Sequence, residues 1–78
     1  MEPVRVLLID DDCDLREWVK LGLQARGYAV KATFSGTQGL ILAYQEHPHV
    51  VLLDLMLPGM DGLETLSRLR EVCDVPVV

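Results

Sequence analysis

The sequence predicts an α/β fold with a doubly wound parallel sheet covered by helices on both faces. Three observations predict it. Short, nearly uninterrupted apolar runs alternate with segments of helical periodicity, the intervening loops have only a few residues, and the order along the 78 residues is β-α-β-α-β-α-β. Strands buried on both faces are apolar throughout, whereas crossover helices carry one apolar stripe. We expect one small domain, residues 1–78.

The first strand and helix are predicted from the first 27 residues. Val4–Ile9 is nearly all apolar, as expected of a buried parallel strand. The helix is predicted over Asp12–Arg26, and Gly27 follows it as the residue type that commonly ends helices. Its apolar stripe consists of Leu15, Val19 and Leu23.

The next unit is a short strand, predicted at Tyr28–Thr33, followed by a helix. Ser35-Gly36 caps this second helix, which runs to about Glu46. Pro48 prevents it from continuing. The residues expected on its inner side are Leu40, Ile41 and Tyr44.

The third unit begins with the apolar run Val50–Leu53. Asp61 and Glu64 form a capping box, the signature of a helix start, with Asp61 as the N-cap. Val75–Val78 begins a fourth strand. The residues of the third helix expected to face inward are Leu63, Leu66 and Leu69.

Acidic residues follow two of these strands directly. Asp10, Asp11 and Asp12 follow the first strand, and Asp54 follows the third. In a doubly wound sheet the first strand is central, and the chain order reverses between strands one and three. Ligands bind at such a switch point, outside the carboxyl ends of the strands. We therefore expect Asp10, Asp11 and Asp54 to meet in one crevice.

Three carboxylates in one crevice repel each other unless a cation is present. Magnesium, Mg²⁺, prefers oxygen ligands and is typically held by one or two carboxylates together with phosphate oxygens. A carboxylate can also attack phosphorus and form an aspartyl phosphate. A metal ion would offset the charge of both reacting groups. The acids therefore indicate a site that binds a cation and handles phosphate.

For some of these residues a structural role accounts for the sequence better than a site does. Asp12 and Asp14 begin a helix, where acids interact favourably with the helix dipole. Pro58-Gly59 fits an ordinary turn. For the acids after the first strand alone, a solvated loop is as well supported as a site. Asp54, which follows a second apolar strand, is the residue that favours the site.

Two other acid motifs can be compared with the same residues. An EF-hand loop beginning at Asp10 requires Gly at its sixth position and Glu at its twelfth, but these are Leu15 and Leu21, so that motif is excluded. A haloacid-dehalogenase-like phosphatase would use Asp10 as nucleophile and Asp12 as acid. Its fifth motif position, Thr or Val, is Asp14 here. This phosphatase, an enzyme that turns over a substrate, stays as an alternative function.

Composition limits the partners. The net charge is −5 and the basic residues are scattered, so this segment lacks the positive surface that duplex DNA requires. The apolar runs are too short to span a bilayer and the N-terminus has no secretory pattern. Cys13 and Cys73 lack metal-binding spacing. We expect a cytoplasmic domain with reduced thiols, no membrane and no nucleic acid bound by this segment.

Together these residues closely resemble the receiver domain of two-component response regulators. The resemblance covers the whole chain, and its second acidic stretch is most like receivers fused to winged-helix DNA-binding domains. It implies a flavodoxin-like fold with strand order 2-1-3-4-5. The matching parts are Val6–Asp12, Leu15-Arg16, Gly36 before the second helix, Asp54–Gly62 and Val75–Val78.

The resemblance implies a role for each site residue. Asp54 would accept a phosphoryl group from the phosphohistidine of a histidine kinase. Asp11 would ligate Mg²⁺ directly, Asp10 would support it directly or through water, and the backbone carbonyl of Met56 would complete the protein ligands. A receiver catalyses its own phosphorylation, so it is a phosphoacceptor switch and not a turnover enzyme. Any DNA binding would belong to a separate output domain.

The resemblance also implies an incomplete domain. The family fold has five strands and five helices, and this sequence ends inside the fourth strand. The family's hydroxyl residue, Lys and switch aromatic would lie beyond Val78, and Lys20 and Lys31 are placed elsewhere. We expect a receiver truncated after its fourth strand and impaired as a phosphoacceptor. Its exposed sheet edge at Val75–Val78 would favour a homo-oligomer.

Overall fold

The computed structural model describes residues 2–56 and 62–78, in which strands and helices alternate. The predicted bounds agree with the observed ones to within one residue for the first five elements, and the third helix begins directly after its predicted cap. The elements are β1 (Arg5–Ile9), α1 (Cys13–Ala25), β2 (Ala29–Thr33), α2 (Gly36–Glu46), β3 (Val50–Leu53) and α3 (Gly62–Val72).

The strand β1 lies at the centre of a parallel sheet of order β2-β1-β3. Val6 pairs with Val30 on one side and with Val50 on the other. The prediction that the first strand is central is therefore confirmed. Because parallel strands point the same way, the carboxyl ends of β1 and β3 lie side by side at one edge of the sheet.

The predicted fourth strand is present in part. The segment 75–78 runs parallel to β3, with one bridge between Val51 and Val77. The Val51 amide donates to the Pro76 carbonyl at 3.0 Å, and the Val78 amide donates to the Val51 carbonyl at 2.8 Å. The predicted neighbour and direction are correct. The ladder is short in the described chain, and Pro76 has no amide hydrogen to add to it.

The core lies on the face of the sheet that carries α2 and α3. Along a strand, side chains alternate between faces, so Leu7 and Ile9 point to this core while Leu8 points to the other face. Gly39 lets α2 approach the sheet closely, because a Cβ at this position would collide with Ile9. The buried core residues are Leu7, Ile9, Ala43, Val51 and Leu69.

Two predicted inner helix faces are partly wrong. In α2, Ile41 is exposed and Tyr44 is 69% exposed. The helix instead buries its small residues, which allow a close approach to β1. In α3, Leu69 is buried but Leu63 is 67% exposed. The buried stripe of α3 contains Gly62, Thr65 and Leu69, so Leu63 is one position off it.

The face carrying α1 is less well covered. None of the residues of α1 is buried, and Trp18 is 79% exposed. The predicted stripe is correctly oriented, since Leu15 and Val19 border a groove of about 350 Å³ that is also lined by Leu8 and Leu52. In the described chain α1 is the helix on this face, whereas α2 and α3 pack together on the other.

The helix ends follow the predicted signals. The hydroxyl of Ser35 accepts a hydrogen bond from the Gln38 amide at 3.1 Å, which confirms the cap of α2. Gly27 has φ 94°, the left-handed conformation expected after a helix. The predicted cap Asp61 and turn Pro58-Gly59 lie outside the described residues. None of the three described helices has the length and apolar character of a membrane span.

Thr65 is a polar residue in the middle of the α3 packing face. It is 0% exposed, and its hydroxyl makes no hydrogen bond within the described chain. A buried hydroxyl without a partner loses its hydration and gains nothing in return, which costs about 1–3 kcal/mol. Thr65 is therefore a local weakness in the contact between α3 and the core.

We predict that Thr65→Val raises the free energy of unfolding by about 1 kcal/mol or more, since valine keeps the shape and removes the unpaired hydroxyl. Urea denaturation followed by circular dichroism measures the change. Thr37→Val is the matched control, because it makes the same change at an exposed position of α2. An equal effect of the two substitutions would contradict the explanation.

Candidate functional site

Three acids converge at the carboxyl ends of β1 and β3. Asp10, Asp11 and Asp54 each present one carboxylate oxygen, and these oxygens lie within 4.8 Å of one another. Asp10 and Asp54 are half-buried, whereas Asp11 is exposed. The Asp54 amide donates to the Ile9 carbonyl at 2.9 Å, which ties the two strand ends together. The predicted meeting of these three residues is confirmed.

Two of these carboxylates are oriented in the same way. Asp10 Oδ1 accepts a hydrogen bond from the Asp12 amide at 2.9 Å, and Asp54 Oδ1 accepts one from the Met56 amide at 2.9 Å. Each acid thus bonds the backbone two residues further on, as Asp commonly does in turns. In the described chain the second oxygen of each carboxylate accepts no such bond.

Asp12 has the structural role that was expected of it. Its Oδ1 accepts a hydrogen bond from the Leu15 amide at 3.1 Å and so caps the N-terminus of α1. Asp14 lies in the first turn of the same helix. Because its carboxylate is engaged at the cap, Asp12 is poorly placed to act as the acid of a dehalogenase-like phosphatase, and this arrangement does not favour that alternative.

Arg16 is a contributor whose role the sequence did not reveal. Its Nη1 donates to the backbone carbonyl of Asp10 at 2.9 Å in a partly buried contact. A signal was available, since Arg16 stands near the N-terminus of α1, where the helix dipole disfavours a cation. A basic residue at such a position needs another partner, and here the partner is the acidic loop.

The segment after Asp54 packs closely against α3. The Gly62 amide donates to the Leu55 carbonyl at 3.2 Å, and a Cβ at position 62 would collide with the Leu55 backbone. This contact fixes the chain immediately after the acid. Met56 is exposed, and its amide bonds Asp54. Whether its carbonyl ligates a metal stays a prediction.

The donor set fits a hard divalent cation. All three side chains offer carboxylate oxygen, the ligand type that Mg²⁺ prefers. Two oxygens bound to one Mg²⁺ at about 2.1 Å can be about 4.2 Å apart. Because the three oxygens lie within 4.8 Å of one another, a side-chain adjustment or a bridging water would allow all three to reach one ion. Three nearby negative charges also repel each other, so a cation would relieve an existing cost.

The comparisons with known proteins agree with this arrangement. Residues 6–78 match the response regulator receiver domain family. The chain therefore belongs to this family, and the receiver fold predicted from the resemblance is confirmed.

Individual relatives are similar over nearly the whole chain. The transcriptional regulatory protein HprR of Escherichia coli K12 is 41% identical over 75 residues, which are 96% of this chain and 34% of that protein. The BeF3-activated N-terminal receiver domain of RstA from Klebsiella pneumoniae has a TM-score of 0.88 at 27% identity, covering 94% of this chain and 62% of that one.

A second similar solved structure is the complex of the histidine kinase ThkA with the response regulator TrrA. The matched chain has a TM-score of 0.86 at 31% identity, covering 95% of this chain and 65% of that one. This chain spans about a third of the length of HprR and under two thirds of each of the two solved chains.

Proposed function

We propose that this chain is the N-terminal part of a phosphoacceptor receiver in a two-component phosphorelay, with Asp54 as the acceptor. The observation that carries the proposal is the convergence of Asp10, Asp11 and Asp54 at the switch point of a receiver-family sheet. The complex of TrrA with a kinase supports a histidine kinase as partner. The similarity to HprR supports a role of the parent protein in transcription regulation and a cytoplasmic location.

The proposed chemistry is one displacement at phosphorus. An oxygen of Asp54 attacks the phosphorus of a phosphohistidine, an O–P bond forms, and the P–N bond breaks as the imidazole leaves with the electron pair. Because Asp54 Oδ1 is held by the Met56 amide, Oδ2 is the oxygen assigned to the attack. Such a receiver is a switch rather than a classical enzyme, and we propose that it promotes its own phosphorylation.

We propose that Asp10, Asp11, Asp54 and the Met56 carbonyl hold Mg²⁺. The bound ion would offset the negative charge of the carboxylate and of the incoming phosphoryl group. The chain's own contribution is orientation, since backbone amides fix Asp10 and Asp54 before any ligand arrives. Asp12 is assigned to the helix cap and is left out of this set.

The domain boundaries are also a proposal. We assign residues 1–78 to a receiver domain, of which this chain covers the N-terminal part. The coverage of the solved receivers, 62% and 65%, supports this assignment. The short ladder at residues 75–78 then supports self-association through the sheet edge, since an unpaired edge favours pairing with another chain.

Mg²⁺ binding is expected to depend on Asp11 and not on its neighbour Asp12. We predict that Mg²⁺ raises the melting temperature of the wild type and of Asp12→Asn, and leaves Asp11→Asn unchanged. The two substitutions remove the same charge at adjacent positions, and asparagine preserves the helix cap as well as aspartate does. Thermal unfolding with and without MgCl2, together with isothermal titration calorimetry, measures the difference.

A second outcome of the same experiment concerns the metal-free chain. There Asp11→Asn should be slightly more stable than the wild type, because it relieves repulsion among the three carboxylates. If Asp11→Asn and the wild type responded equally to Mg²⁺, the assigned ligand set would be wrong.

Phosphoryl transfer is expected to require Asp54. We predict that phosphoramidate, whose P–N bond resembles that of phosphohistidine, adds one phosphoryl group to the wild type and to Asp12→Asn but none to Asp54→Asn. Intact-mass spectrometry detects the adduct, and hydroxylamine should remove it because an acyl phosphate is labile. Equal labelling of Asp54→Asn would refute the assignment. Phosphatase turnover lost in Asp10→Asn and retained in Asp54→Asn would support the dehalogenase-like alternative instead.

Self-association is expected to depend on the exposed edge. We predict that the wild-type chain forms concentration-dependent oligomers and that Val78→Lys weakens them, since a charge on an edge strand opposes pairing. Val78 is 76% exposed, so the substitution removes little packing. Light scattering coupled to size-exclusion chromatography measures the mass. A folded wild-type monomer at high concentration would contradict the edge-paired assembly.

A further inference from the structure

Arg16 is a basic side chain that contacts the acidic loop. Its Nη1 donates to the Asp10 carbonyl at 2.9 Å, and its backbone amide donates to the Asp12 carbonyl at 2.8 Å. One residue of α1 thus bonds the loop on both sides of Asp11. Arg16 is half-buried, although it stands near the helix end where the dipole is unfavourable for a cation.

The loop containing Asp11 is held by its flanking residues. On one side, the Asp10 amide donates to the Thr33 carbonyl at 3.0 Å, and the Asp10 carbonyl accepts a hydrogen bond from Arg16 Nη1. On the other side, the Asp12 carboxylate caps α1. The Asp11 side chain itself has no hydrogen bond within the described chain. Its position therefore depends on the backbone that these contacts fix.

Two effects of Arg16 on a cation at the acids oppose each other. Its positive charge repels the ion, and this effect alone would make Arg16 unfavourable for binding. Its hydrogen bond to Asp10 holds the loop in place, and charged donors form the stronger hydrogen bonds. The two effects predict opposite outcomes when the side chain is neutralised, so an experiment can separate them.

We propose that Arg16 is a positioning residue of the cation site, which anchors the Asp10 carbonyl and thereby holds Asp11 opposite Asp54. The inference rests on the proposed function, because it takes Mg²⁺ as the ligand of these acids. Arg16 acts through the loop backbone and touches neither the ion nor the phosphoryl group. Its anchoring effect exceeds its charge repulsion.

Calorimetric titration of the 78-residue chain with MgCl2 tests the proposal. Arg16→Gln is expected to weaken Mg²⁺ binding by about tenfold, the loss typical of a hydrogen bond to a charged group. Arg16→Lys should restore part of the affinity, since lysine can still donate to the Asp10 carbonyl but as a single point charge. Arg26→Gln is the matched control, because it removes the same charge from the exposed C-terminal end of α1.

Hydrogen exchange in the metal-free chain provides a second readout. The Asp12 amide, which bonds Asp10 Oδ1, should exchange faster in Arg16→Gln than in the wild type, while amides of β1 stay protected. This measurement separates a loosened loop from a chain that fails to fold.

The outcomes distinguish the two proposals. A wild-type chain that takes up no Mg²⁺ overturns the proposed function and this inference with it. If the wild type binds and Arg16→Gln binds equally well or more tightly, Arg16 is only a nearby charge and this inference alone is wrong. Arg26→Gln weakening binding as much as Arg16→Gln would likewise overturn it, since net charge would then explain the loss.

Discussion

The pairing of β3 with β1 is the constraint on which the site depends. The Asp54 amide donates to the Ile9 carbonyl, so the residue after β3 is hydrogen-bonded to the last residue of β1. Parallel pairing then brings the acids that follow both strands to one edge of the sheet. The same strands carry Ile9 and Val51 into the core, so the packing that stabilises the fold also sets the position of the carboxylates.

This arrangement concentrates negative charge, and the fold limits the resulting cost by orienting the acids. Backbone amides donate hydrogen bonds to the carboxylates of Asp10 and Asp54, and these bonds stabilise the negative charge of both groups. Arg16 adds a positive charge at the carbonyl of Asp10. Within the described chain the Asp11 carboxylate accepts no hydrogen bond of its own and is exposed, which makes it the acid whose charge a cation would compensate most directly.

Much of the fold and the acid cluster could be predicted from the sequence, because both follow from apolar periodicity and from the topology of alternating strands and helices. The runs before Asp10 and Asp54 are strongly apolar, and each ends in a carboxylate. The inner faces of α2 and α3 were predicted less well. Large apolar residues such as Tyr44 were assigned to the interior, but α2 approaches the sheet through Gly39 and Ala43 and leaves Tyr44 exposed.

The position of Arg16 near the N-terminus of α1 was a signal that it needs a partner, but the identity of that partner could not be predicted, for a different physical reason. Its contact is with a backbone carbonyl, which every residue possesses, so the partner leaves no mark in the residue pattern. Carboxylates can be identified in a sequence because only Asp and Glu side chains carry them. The backbone groups that position them cannot be identified in this way. The metal-ligand role of the Met56 carbonyl depends on the same kind of backbone group, and it was inferred from the family resemblance alone.

The two sides of the site differ in how firmly they are supported. Asp54 follows a strand that contributes the buried Val51 to the core, and Gly62 packs against the residue after Asp54. Asp11 precedes α1, a helix without a buried residue that borders an open groove. Local stability follows buried contacts, so the Asp11 side should open more readily than the Asp54 side. A cation bound by both Asp11 and Asp54 would therefore stabilise the start of α1. It binds only when both acids are in place, so it opposes local opening on the Asp11 side.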